Sequence, residues 1–146
     1  MDNTAPILQQ WLEQYNQTLA HWQAQGNTFS PAVVRESLAT MTRTYVTDIP
    51  ELSLVVDDAV DSHGHPLPVR IFHPAQSSSL EVVVFLHGGG HMAGSIEVYD
   101  PICRKIALSS QRIVVAADYR LAPEHPYPVG IDDGAAVLDN CLEVLD

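Results

Sequence analysis

The chain has 146 residues and 46% of them are hydrophobic, which suits a domain with one sizeable core and argues against a disordered chain. The formal net charge of −11 argues against nucleic acid and anionic membrane surfaces as partners, and no apolar run is long enough to span a bilayer. The two cysteines and a polar, acidic N-terminal segment, which is unlike a secretory signal, indicate a cytoplasmic protein with free thiols.

Two amphipathic helices are predicted at the start of the chain. Apolar residues recur at helical spacing over residues 7–22, and glutamines fill the opposite face. Ser30 suits an N-cap with Pro31 at the first helical position, and the second apolar stripe continues to Tyr45. Core packing explains both stripes, and a lid over a pocket is the alternative. We assign residues 1–48 to N-terminal cap helices.

From residue 49 to residue 146 the pattern changes to strands and helices. We predict, in chain order, strands over residues 52–57, 67–72 and 82–86, a helix capped by Asp100, a strand over residues 112–118 and a helix over residues 131–145. The first two strands flank a turn-rich segment and should pair antiparallel. The third and fourth strands are joined by a helix, so they should be parallel. The pattern is that of an α/β domain.

The strand over residues 82–86 ends in His87 and three glycines, Gly88 to Gly90. A glycine run after a buried strand lets the backbone approach a bound group closely and adopt φ values closed to other residues. Its N–H groups can then face a bound anion, as an oxyanion hole requires. A plain turn and a phosphate-binding loop are the alternatives, although no nucleotide-binding glycine motif is present.

Two motifs together resemble one known family. His87-Gly-Gly-Gly-His91, followed by Asp118-Tyr-Arg-Leu-Ala-Pro-Glu-His-Pro-Tyr-Pro128, resembles the hormone-sensitive-lipase-like family of α/β-hydrolases. The resemblance runs from Leu52 to the C-terminus. It implies the N-terminal half of an α/β-hydrolase fold, with a central, mostly parallel sheet, a leading antiparallel hairpin and N-terminal cap helices. It also implies a carboxylic-ester hydrolase that acts on small, short-acyl esters without a metal or other cofactor.

The resemblance assigns roles to the motif residues. Gly89 and Gly90 would supply the N–H groups of the oxyanion hole, and Gly88 would shape its turn. His87 would orient the loop and is not the triad histidine. His91 stands where the family usually has Phe or Trp, and would form a wall of the pocket. The remaining motif residues would be structural, namely Asp118, Tyr119, Arg120, Glu124 and Asp133.

The second motif ends in a proline-rich loop. Because its prolines hold the backbone rigid, we expect Arg120 and Glu124 to pair across it. Asp133 lies near the predicted start of the last helix, where a carboxylate suits the helix dipole.

The chain has no residue that could serve as the nucleophile of this family. None of its serines lies in a G-x-S-x-G elbow, and the acid and histidine that follow the nucleophile in such enzymes are absent too. Ser95 follows a glycine, but Ile96 and Glu97 do not fit the elbow. We therefore expect this chain to supply the oxyanion-hole half of an esterase and to be inactive alone.

The expected partners follow from the same reasoning. In this family's sheet the strand over residues 82–86 has a further neighbour, and a long apolar edge without one invites pairing. We expect that edge to take either the missing C-terminal half or a second copy of the chain. The alternatives to an esterase half are a non-catalytic small-molecule-binding protein on the same fold and a truncated relic that is stable only as an oligomer.

Overall fold

The structure, a computed structural model, describes residues 5–75 and 81–145. Its elements are α1 (Pro6–Ala24), α2 (Pro31–Tyr45), β1 (Leu54–Ser62), β2 (His65–His73), β3 (Val82–Leu86), α3 (Ile96–Ser110), β4 (Ile113–Ala117) and α4 (Val129–Asn140). Contacts divide the chain into two compact units, residues 1–30 and residues 31–146. Most of the loop predicted between β2 and β3 lies outside the described residues.

The first unit consists mainly of α1, as the spacing of apolar residues predicts. Proline opens the helix, where its missing N–H costs nothing. Trp11 stacks on Tyr15 with ring centroids 5.2 Å apart. Where the helix ends, Trp22 packs on Phe29 at 5.3 Å, and the Asn27 side chain donates a hydrogen bond to the carbonyl of Trp22 (2.9 Å).

The second unit is built on a four-stranded mixed sheet in the order β1-β2-β4-β3. β1 and β2 pair antiparallel, as predicted, and β2 pairs antiparallel with β4. β3 and β4 run parallel with α3 between them along the chain, which confirms the predicted strand–helix–strand unit. No helix among the described residues is both long enough and apolar enough to cross a membrane.

The hairpin between β1 and β2 is tighter than the sequence suggests. The predicted turn covered residues 61–66, but the ladder continues to a pairing of Ser62 with His65. Only His63 and Gly64 form the turn, both with positive φ (54° and 83°). Such a two-residue turn matches the twist of the flanking strands. The carboxylate of Asp61 accepts a hydrogen bond from the Gly64 N–H (3.0 Å), which fixes the turn.

The predicted start of α3 is wrong. The helix begins at Ile96, with Ser95 rather than Asp100 as its N-cap. The Ser95 hydroxyl accepts a hydrogen bond from the N–H of the third helical residue (3.2 Å), and Asp118 accepts one from the N–H of Ile96 (3.0 Å). Proline after Asp100 is typical of the first turn of a helix, yet Pro101 lies inside this one.

β4 is the centre of the core because all five of its residues are buried. Its side chains alternate between two apolar clusters, as the period of a strand requires. One cluster includes Ile113, Val115 and Ala117 with residues of β2 and α4, and the other includes Val114 and Ala116 with residues of α3. Burying each valine contributes about 1.5–3 kcal/mol.

β3 forms one edge of the sheet. Among the described residues it pairs only with β4, so one side of its backbone lacks a strand partner. Its last residue, Leu86, is 43% exposed. Beside it, α4 and the turn after it also leave apolar side chains exposed, namely Ile131, Leu138 and Leu142. An unpaired strand edge next to an apolar patch is a favourable place for another chain to bind.

We predict that the isolated chain self-associates through β3. Light scattering coupled to size exclusion should give a mass of more than one copy that rises with protein concentration. Leu86→Lys should lower that mass, because a charge on an edge strand opposes pairing. Val56→Lys, an exposed position on the opposite edge strand, is the matched control and should leave it unchanged. A monomer at every concentration would contradict the prediction.

Candidate functional site

The loop after β3 has a conformation that depends on glycine. The φ angles are 134° at Gly89, 63° at Gly90 and 57° at His91. A Cβ atom at position 89 would overlap the carbonyl of Ala93. Only glycine therefore fits there, both because of its φ and because of the close approach of the backbone.

Three successive carbonyl groups of this loop accept hydrogen bonds from the protein. The carbonyl of His87 accepts one from the Tyr119 hydroxyl (2.6 Å), and that of Gly88 accepts one from His87 Nδ1 (3.0 Å). The carbonyl of Gly89 accepts two, from the backbone N–H groups of residues 92 and 93 (3.2 and 3.0 Å). Each of these bonds fixes the plane of one peptide group.

The N–H groups of the same peptides are consequently directed away from these bonds, because C=O and N–H point in opposite directions across a planar trans peptide. They belong to Gly88, Gly89 and Gly90. Among the residues that the structure describes, none of the three donates a hydrogen bond within the protein. All three glycines line a pocket of about 490 Å³. The pocket is thus lined by three residues whose N–H groups have no acceptor among the described residues.

The other walls of this pocket are mainly apolar. They come from the end of β3 and one side of α4, with Leu86, Ile131, Ala135 and Leu138 as the apolar lining residues. An apolar pocket with a few convergent donors suits a small organic molecule that carries a carbonyl group.

His91 forms part of the pocket wall, as the sequence analysis expects. Its ring lies edge-on to Tyr119 at 6.0 Å, and its backbone carbonyl accepts a hydrogen bond from the Ala122 N–H (2.8 Å). A smaller cavity of about 160 Å³ adjoins the pocket, and His91, Gly130 and Ile131 line both. His91 is therefore one of three residues that border both spaces.

His87 is buried below the glycine loop. Its ring stacks between Tyr119 (4.3 Å) and Tyr99 (5.5 Å). Since the Gly88 carbonyl can only accept, Nδ1 carries the proton of the ring. Burial lowers the pKa of His87, although the Gly88 carbonyl and the charge of Asp118 oppose the shift. The lowered pKa favours the neutral ring, which contacts the loop through Nδ1.

Asp133 is a fully buried carboxylate with a complete set of donors. It accepts hydrogen bonds from the Ser62 hydroxyl (2.7 Å), the Arg120 backbone N–H (2.9 Å) and the Arg120 guanidinium (2.6 and 2.9 Å). Burial alone would raise the pKa of Asp133, but these hydrogen bonds outweigh it and hold the pKa at about 2.

The predicted pairing of Arg120 with Glu124 is wrong. Arg120 pairs with Asp133, and Glu124 pairs with Arg35 of α2 (2.7 Å). Arg120 pairs with Asp133 because a buried carboxylate has no water to solvate its charge, so leaving it unpaired would cost the most free energy. Glu124 lies at the surface, where it can reach a second cation.

Sequence reasoning missed two residues that support the site. Ser62 completes the donors around Asp133, and Arg35 contacts the backbone of both motif loops. Arg35 lies beside the apolar stripe of α2 and is half-buried, and a single arginine in that position gives no sequence signal of its own. Asp118 and Tyr119, in contrast, lie where their motif predicts, at the end of β4, and they contact α3 and His87.

The chain is similar to known α/β-hydrolases and esterases. Residues 83–144 match the family model of the α/β-hydrolase fold. The carboxylesterase NlhH of Mycobacterium tuberculosis is 52% identical over 73 residues, which are 49% of this chain and 23% of that protein. The esterase LipI of the same organism is 44% identical over 90 residues, 60% of this chain and 28% of that protein.

Solved structures extend the match to the whole sheet. An esterase of Pyrobaculum calidifontis superposes with a TM-score of 0.79 at 30% identity, over 97% of this chain and 44% of that one. The chain thus spans about a quarter of the length of the two curated relatives and less than half of the solved esterase. The α/β-hydrolase fold expected for this chain is confirmed, although the described sheet is mixed, with two antiparallel pairs and one parallel pair.

We predict that Asp133 makes stability depend on pH between about 4 and 2. Its pKa is 3.8 in the unfolded chain and about 2 in the folded one, so its full contribution is present above pH 4. That contribution is about 2 kcal/mol and is lost as the pH falls through 2. Urea unfolding of the wild type between pH 7 and pH 2 measures it.

Asp133→Asn should lower the free energy of unfolding by about 3–5 kcal/mol at pH 7, because it leaves the Arg120 charge without its buried partner. The variant should also lack this acid-dependent component. Asp132→Asn, at the exposed neighbouring position, should behave as the wild type does. If the free energy of unfolding falls with pH equally steeply for the wild type and Asp133→Asn below pH 4, Asp133 is not the group responsible.

Proposed function

We propose, from its similarity to α/β-hydrolases and carboxylesterases, that this chain supplies the oxyanion-binding part of a carboxylic-ester hydrolase. The observation that carries the proposal is the set of N–H groups at Gly88, Gly89 and Gly90, which have no acceptor among the described residues and line an apolar pocket. Donors fixed in advance toward a developing negative charge are what acyl transfer requires.

In the proposed mechanism a serine outside this chain attacks the carbonyl carbon of the ester. The carbonyl oxygen becomes an oxyanion, to which the N–H groups of Gly89 and Gly90 donate hydrogen bonds. The C–O bond to the alcohol then breaks, the alcohol leaves with a proton from the triad histidine, and water hydrolyses the acyl-enzyme. The hydrogen bonds strengthen as charge develops, so they accelerate the reaction rather than merely bind the ester.

Three kinds of residue in this chain have proposed roles. The loop glycines bind the oxyanion, and His87 keeps their peptides oriented through the Gly88 carbonyl. His91 shapes the pocket beside them. Asp118, Tyr119, Arg120, Glu124 and Asp133 hold the surrounding backbone. The pocket of about 490 Å³ and its apolar lining favour small, short-acyl esters.

The first test is hydrolysis of a short-chain chromogenic ester by this chain alone and by this chain with the C-terminal part of a related carboxylesterase. Co-purification establishes that the two parts assemble. We expect turnover only for the assembled pair, because none of the serines here lies in a nucleophile elbow. Turnover by the chain alone would contradict the proposal. No turnover by an assembled pair would favour a non-catalytic binding protein.

Gly89→Ala should lower kcat of the assembled pair by about 10²–10³, the usual cost of losing one oxyanion donor. The added methyl group displaces the peptide that carries the donor, because it meets the Ala93 carbonyl. Gly64→Ala is the matched control, since Gly64 also has positive φ and has open space around it in the β1–β2 turn. It should cost about 1 kcal/mol of stability and leave kcat unchanged. Equal kcat values for the two variants would contradict the role of the loop.

A further inference from the structure

Arg35 of α2 makes four hydrogen bonds to three groups of the site's backbone loops. Its Nε donates to the carbonyl of Met92 (2.8 Å), and its Nη2 donates to that of Ala122 (3.1 Å). Nη1 and Nη2 donate to the two carboxylate oxygens of Glu124 (2.9 and 2.7 Å). A guanidinium can do this because it has five donors in one fixed plane.

The Met92 carbonyl belongs to the segment by which the chain leaves the glycine loop, and the Ala122 carbonyl belongs to the loop after β4. Met92 uses its own N–H to bind the Gly89 carbonyl, and Ala122 uses its N–H to bind the carbonyl of His91. His91 has φ of 57°, a value that costs a residue with a side chain about 1 kcal/mol or more. Such a conformation persists only where surrounding contacts determine it. Arg35 supplies two of those contacts.

We infer that Arg35 is a positioning residue for the Gly90 N–H. The guanidinium holds Met92, Met92 holds the Gly89 carbonyl, and the Gly90 N–H lies on the opposite side of that same peptide. α2 itself contributes no residue to the lining of the 490 Å³ pocket. The helix therefore acts on the site only through the backbone that Arg35 holds.

The ion pair with Glu124 contributes less to fixing the loops than the two hydrogen bonds to backbone carbonyls do. The side chain of Arg35 is 34% exposed and that of Glu124 is 54% exposed, and exposed pairs contribute little to stability. Hydrogen bonds to backbone carbonyls at fixed positions depend instead on the planar fork of arginine. A lysine can keep the charge but cannot reproduce that fork.

Hydrogen exchange on this chain tests the inference without any enzyme assay. In Arg35→Ala, the amides of residues 92, 93 and 122 should exchange about tenfold faster or more, because the segments that carry these donors lose the contacts that fix them. Residues 113–117 of β4 should keep their protection. Arg43→Ala is the matched control, since Arg43 also lies on α2 and its partners among the described residues are Glu36 and Thr40 of the same helix. It should leave all of these rates unchanged.

Two exchange outcomes would overturn the inference. One is an Arg35→Ala chain with wild-type rates at residues 92, 93 and 122. The other is acceleration that reaches β4 equally, which would mean a general loss of stability. Arg35→Lys should resemble Arg35→Ala at these amides, and wild-type rates in the lysine variant would overturn the requirement for the planar fork.

Kinetics on the assembled pair test the consequence for the reaction, which rests on the proposed function. Arg35→Ala should lower kcat about tenfold and leave KM within about twofold, because an oxyanion donor acts mainly in the transition state. Arg43→Ala should change neither. A rise in KM with kcat unchanged would overturn the positioning role. If the wild-type pair has no turnover, the proposed function fails, and the exchange result still decides whether Arg35 holds the loop.

Discussion

The buried carboxylate of Asp133 is the interaction on which the site's surroundings depend. It lies in α4, and its donors come from the end of β1 and from the loop after β4. One charged group thereby fixes three segments that are distant along the chain. Its desolvation is tolerable only because each oxygen has donors, one of them a cation. α4 can then present its side chains to the pocket in a fixed position.

In the glycine loop, the backbone N–H groups of residues 88–90 have no acceptor among the described residues. The protein satisfies the carbonyl groups of residues 87–89 on one side of the loop and so leaves the N–H groups of the following residues on the other side. Buried polar groups are normally paired, so free donors at a pocket need such an asymmetric arrangement. His87 and Tyr119 act from below the loop, and Arg35 holds its exit.

The sequence predicted the elements well because hydrophobic periodicity and glycine are local signals. All four helices and all four strands occur near their predicted positions, and the family motif located the loop. It failed where two candidates competed for one role. Ser95, and not Asp100, caps the third helix, and Arg120 pairs with Asp133 and not with Glu124. Spacing along the sequence cannot show that Asp133 is fully buried while the Glu124 side chain is 54% exposed.

The central strand of the sheet also sets the order in which the protein can fold. The β1–β2 hairpin closes through a two-residue turn and needs only local contacts, so it can form within microseconds. β4 must then pair with β2 across on the order of 40 intervening residues, which include β3 and α3, and such long-range pairing is slow. Until β4 has docked, both apolar clusters lack the strand between them. Slow docking of β4 therefore lengthens the time for which the apolar face of the hairpin is exposed to other chains.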